Sequence, residues 1–153
     1  MLVTDIILIA ILLVMLLVAV LLEHFLLEVN PIVWCVGLAT GLVFGIMGNG
    51  LVTLKESLIA FVVTFIFVFI VYMCFPGALG GGLIKGACVC GFFLGRYVII
   101  DIILFFILMI IVSKIINLKK KDRLPGESKI NAILYLMIST IIALVAMYFL
   151  GKI

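Results

Sequence analysis

Long apolar runs fill the chain, and polar residues break them at only a few places. Six apolar segments separate on this pattern. They are expected at about Leu2–Leu22, Ile32–Met47, Leu58–Phe75, Ile84–Leu94, Val98–Ile116 and Ile130–Leu150. Pro31 precedes the second segment, and Gly48-Asn49-Gly50 ends it, because Gly and Asn tolerate positive φ. Pro76-Gly77 stops the third, since proline removes a backbone donor and glycine frees the chain. Leu124-Pro125-Gly126 leads into the sixth.

The fourth segment is short. At about 1.5 Å per residue it covers roughly 18 Å, less than the ~30 Å of a bilayer's hydrocarbon layer. Lipid cannot satisfy backbone groups exposed at its end, so other helices are expected to surround it. Gly86, Ala87, Cys88, Cys90 and Gly91 suit that position because small residues let backbones approach.

Composition supports the same reading. Of 153 residues, 69% are hydrophobic and 11% charged, with a mean hydropathy of +1.64. A soluble domain of this size cannot cover its outside with so few polar groups. The expected fold is all-α, a polytopic membrane protein of about six transmembrane helices in a single domain over residues 1–153. The first segment has no positive residue ahead of its apolar run and is long enough to span, unlike a cleaved signal. The net charge of +3 is not a nucleic-acid signal, because six of the ten Lys and Arg residues lie between Lys114 and Lys129. Lys- and Arg-rich loops stay in the cytoplasm, and a basic run there is also compatible with anionic lipid. Six crossings then put both termini outside and loops 23–31, 76–85 and 117–129 inside. Cys35, Cys74, Cys88 and Cys90 form no CxxC pair and read as buried small hydrophobes, so no metal or cofactor is expected.

The candidate chemistry lies at Gly77-Ala78-Leu79-Gly80-Gly81-Gly82-Leu83-Ile84-Lys85. Earlier in the chain stands Glu23-His24-Phe25-Leu26-Leu27-Glu28-Val29-Asn30-Pro31, and later Arg123-Leu124-Pro125-Gly126. Together and in this order they resemble the small type IV prepilin leader peptidases, the GxGD aspartic peptidases of Tad-type pili. Glu23 stands in the slot of the first family Asp, and Val29-Asn30-Pro31 at its turn. Gly80-Gly81-Gly82-Leu83 follows the glycine-rich motif except that Leu83 replaces the second Asp. The resemblance covers most of the chain. It implies a prokaryotic plasma-membrane protein whose site, at the cytoplasmic face, takes a pilin precursor as partner. Gly80, Gly81, Gly82 and Lys85 would shape the substrate site. Larger relatives add a methyltransferase domain with paired CxxC motifs, which these residues lack.

Such chemistry needs two carboxylates sharing one proton, one to activate water and one to polarise the scissile carbonyl. Leu83 can do neither. Catalytic groups that act as a unit fail together, so loss of one costs at least the roughly 10²–10⁴-fold of a positioned acid or base. The resemblance therefore implies an impaired or inactive peptidase. A working peptidase that pairs Glu23 with another acid such as Glu28, a non-enzymatic scaffold for pilin or pilus-assembly partners, and a small transporter subunit are the alternatives.

The remaining polar residues read as structural. Asp101 is expected near the outer end of the fifth segment, paired with Arg96 or a nearby polar group and remote from Glu23. Glu28 and Asp5 read as solvated or interfacial acids and His24 as an interfacial polar residue. Trp34 and Tyr97 are expected to be interface anchors.

Overall fold

The computed structural model describes residues 3–26, 30–48, 50–74, 81–119 and 132–150. These form α1 (Val3–Leu26), α2 (Pro31–Ile46), α3 (Leu54–Cys74), α4 (Gly81–Leu94), α5 (Val98–Lys119) and α6 (Ala132–Phe149), with a 3-10 turn at Gly95–Tyr97. Gly80, Glu28, Val29 and most of the basic run 117–129 fall outside the described residues or their described side chains.

Local chemistry sets the helix starts. At α2 the Asn30 side chain accepts the Ile32 N–H at 3.0 Å, and Pro31 occupies the first turn, where a missing donor is harmless. α3 begins four residues before the expected Leu58. Thr53 caps it, accepting the Glu56 N–H at 3.4 Å, in a Thr-x-x-Glu pattern that precedes the apolar run.

All the elements among the described residues are helical, in keeping with the expected class. By length and composition, four stretches could each cross a membrane: Val3–Phe25, Leu54–Cys74, Gly81–Val112 and Ala132–Phe149. The expected number was about six. The 16-residue α2 is shorter than these, and α4 and α5 run together into one apolar stretch. That stretch nevertheless doubles back. As one continuous helix it would hold Leu83 and Phe105 about 33 Å apart, yet both line a single cavity. The reversal occurs at Gly95, whose φ of +56° favours glycine.

α4 lies at the centre. It touches every other helix. Leu83 and the unbroken run Gly86–Leu94 are buried, so the short fourth helix is enclosed as expected. Its glycines set the approach distances. A Cβ on Gly86 would stand 2.8 Å from Trp34 Cη2 and 3.2 Å from Leu136 Cδ2. One on Gly91 would stand 2.6 Å from Thr64 Oγ1. α2 presents Gly37, Gly41 and Gly45 one turn apart, against Met15 of α1, Phe92 and Phe93 of α4 and Leu54 of α3.

Three sequence expectations change here. Trp34 is 2% exposed, a core residue whose ring stands against Gly86 of α4 rather than an interface anchor. Tyr97 is also buried. Cys88 and Cys90 are buried, but Cys35 and Cys74 are exposed on the outer surface. That surface carries large apolar side chains such as Phe65, Ile66, Phe69 and Ile70, and is suited to contact with lipid.

The packing makes Gly86→Leu destabilising by about 1–3 kcal/mol, the usual cost of overpacking. Gly81→Ala should change stability by less than about 0.5 kcal/mol, because nothing among the described residues lies within 4 Å of a Cβ there. Thermal unfolding of the detergent-solubilised chain measures both.

Candidate functional site

The two positions singled out as the family carboxylate pair lie near the start of α6. Glu23, on the last turns of α1, is half-buried, and its Oε2 accepts the Ile133 N–H at 3.1 Å. The first backbone donors of a helix have no partner within it. Glu23 supplies one and also places a carboxylate at the positive end of the helix dipole. Leu83 is 3% exposed. It lines a cavity with Leu136, which lies one turn along α6 from Ile133. The other walls include Val68, Ala87 and Phe105. The Leu83 side chain itself forms no hydrogen bond, and most of the cavity wall around it is apolar. Among the described residues, no second acid hydrogen-bonds with Glu23 or stands beside it in an ion-binding cluster.

Gly81 and Gly82 form the first turn of α4 rather than a loop, with Gly81 exposed and Gly82 half-buried. Lys85 is exposed on the same turn of α4. Gly80 and the residues before it lie outside the described set.

One further acid shares the Leu83 cavity. Asp101, 1% exposed, lines it from α5. Its carboxylate bonds Ser139 and Thr140 of α6, the Thr140 hydroxyl at 3.3 and 3.4 Å. The Arg96 half of the expected pairing is thus corrected, and the nearby polar group is this pair of hydroxyls. Arg96 instead lies over the Tyr97 ring, 5.3 Å from its centroid. Asp101 comes beside Leu83 for a physical reason. α4 has only 14 residues, about 21 Å, so the hairpin it makes with α5 brings their buried faces over one another. Glu23 and Asp101 remain apart. Their partners on α6, Ile133 and Ser139, are six residues distant, or roughly 9 Å along the axis. The two carboxyls thus contact different turns of α6.

A large cleft lies at the opposite end. It has a volume of about 530 Å³ and lies between the α2–α3 connection and the α4–α5 turn, with Arg96, Glu56 and Thr53 on its walls. It contains neither Glu23 nor Leu83.

The capping role of Glu23 is separable from any catalytic one. Glu23→Ala should cost about 0.5–2 kcal/mol, the range for a lost helix cap. Glu23→Gln, which keeps an acceptor oxygen, should retain most of that stability in thermal unfolding. No family model matches the chain, and no curated protein or solved structure matches it.

Proposed function

We propose that this chain is a prepilin-peptidase-like protein of the prokaryotic plasma membrane that receives a pilin-type precursor but does not cut it. In this reading the six helices all cross the bilayer and the basic run 117–129 faces the cytoplasm. The precursor presents a short basic leader followed by an apolar helix, and it meets the protein at the end bearing Glu23, the α4 N-terminus and exposed Lys85.

The observation that carries the reading is the pocket around Leu83. Peptide hydrolysis by this class needs a paired second carboxyl where Leu83 stands, and the acid that shares its cavity, Asp101, is bonded to Ser139 and Thr140 rather than to Glu23. Glu23, the remaining member of the pair, is bonded to the α6 N-terminus. A single carboxylate so engaged can neither share a proton with a partner nor alternate between base and acid. The chemistry left at this end is binding.

Proteoliposomes of the full chain, mixed with a precursor peptide of basic leader and apolar helix, test the reading. The expected result is no cleavage above that of empty liposomes, together with co-purification of uncut precursor. Robust cleavage that disappears in Glu23→Gln would show a working peptidase and overturn the proposal. Failure of the precursor to associate at all would equally exclude the scaffold role.

A further inference from the structure

The α2–α3 connection and the α4–α5 turn line the cleft of about 530 Å³ at the end of the bundle away from Glu23. Its size is that of a small-molecule site. Two opposite charges stand on its walls, Arg96 in the 3-10 turn after α4 and Glu56 in the first turn of α3. Among the described residues no ion pair joins them, and neither is paired with another charged side chain. Two unpaired charges of opposite sign in one cleft are complementary to a ligand that carries both.

The cleft is built ahead of any ligand. The Arg96 guanidinium lies over the buried Tyr97 ring, 5.3 Å from its centroid, and its Nη2 is 3.5 Å from the Tyr97 hydroxyl oxygen. That contact uses one of five N–H donors, and the rest of the planar fork suits the paired oxygens of a phosphate. The backbone of Glu56 is held by Thr53, whose Oγ1 accepts its N–H at 3.4 Å. The two walls are packed on each other. A Cβ on Gly95 would stand 2.9 Å from Val52 Cγ2, and one on Gly45 would stand 2.9 Å from Leu54 Cδ1.

We infer that this cleft binds a phosphate–amine zwitterion, the phosphoethanolamine group, with the phosphate on Arg96 and the ammonium on Glu56. A bare phosphate would meet the Glu56 charge, and a bare amine the Arg96 charge. The same group occurs in a soluble phosphodiester and in the headgroup of phosphatidylethanolamine. The surroundings select the lipid. The cleft lies where α3 and α5 begin, and the residues that follow inward include the exposed Leu58 and Ile59 of α3 and Ile99 and Ile103 of α5. Acyl chains lie along these side chains while the headgroup occupies the polar cleft. The site needs only that the bundle spans a membrane, and it is independent of precursor binding at the Glu23 end.

The full chain in detergent is titrated with short-chain phosphatidylethanolamine, phosphatidylcholine or phosphatidylglycerol. Thermal unfolding and native mass spectrometry report binding. Phosphatidylethanolamine should raise the melting temperature and remain bound. Phosphatidylglycerol lacks the amine, and the quaternary ammonium of phosphatidylcholine donates no hydrogen bond, so each should bind about tenfold more weakly, as loss of one charge-assisted bond implies. Arg96→Gln should weaken phosphatidylethanolamine binding about tenfold, and Glu56→Gln should remove its advantage over phosphatidylglycerol. Arg96→Lys, which keeps the charge without the fork, serves where Arg96→Gln does not fold and should also weaken binding. Glycerophosphoethanolamine, the headgroup without acyl chains, separates the sources. Failure to displace the lipid at equal concentration supports the lipid as ligand, and binding of this compound as tight as that of the lipid overturns that choice. Equal binding of the three lipids overturns the inference, as does a phosphatidylethanolamine preference that survives in Glu56→Gln.

Discussion

A helix of 14 residues cannot reach both faces of a bilayer, and the unpaired backbone groups at its ends find no partners in lipid. The burial of α4 against all the other helices answers that constraint, and much of the structure follows from it. Close packing around a short helix requires small residues on it and on its neighbours. Gly86 admits the edge of Trp34, Gly91 admits Thr64, and the Gly37–Gly41–Gly45 face of α2 admits Met15, Phe92 and Phe93. In lipid the attraction between helices comes from such contact and not from exclusion of water, so each of these close approaches contributes directly.

The same constraint shapes the site. Because α4 is short, its turn into α5 at Gly95 folds the first helical residues of α5 back over α4. Leu83, Ala87, Asp101 and Phe105 then line one cavity. An apolar residue in the motif position and a buried acid from the next helix become neighbours. Glu23 meets α6 at its first turn, and Asp101 meets it about two turns deeper. The α6 helix thus carries two separate carboxylate contacts, one at the edge of the bundle and one in its core.

Much of this was legible in the sequence. The six helices end within a few residues of the runs of apolar residues, and the enclosure of α4 followed from its length and its glycines. The Thr53-x-x-Glu56 cap was visible too, and would have moved the start of α3 to its true place. The position of Asp101 was not legible. Counting residues along α5 measures its depth from one end, but neighbours across a bundle depend on helix rotation and on where the short α4 begins. Ser139 and Thr140 carry no mark in the sequence that ties them to an acid 38 and 39 residues earlier. Trp34 misled for a similar reason. Tryptophan favours interfaces on average, but Gly86, with no side chain, leaves room for this one against α4.

The most direct test of this account is the proximity of α4 to the first turns of α5. In a background free of native cysteines, Ala87→Cys combined with Phe105→Cys places one thiol on each wall of the shared cavity. The account requires rapid, near-complete cross-linking by a short bifunctional reagent within single chains in membranes. Absence of cross-linking, with labels at these sites separated by the roughly 27 Å of an uninterrupted helix, would contradict it.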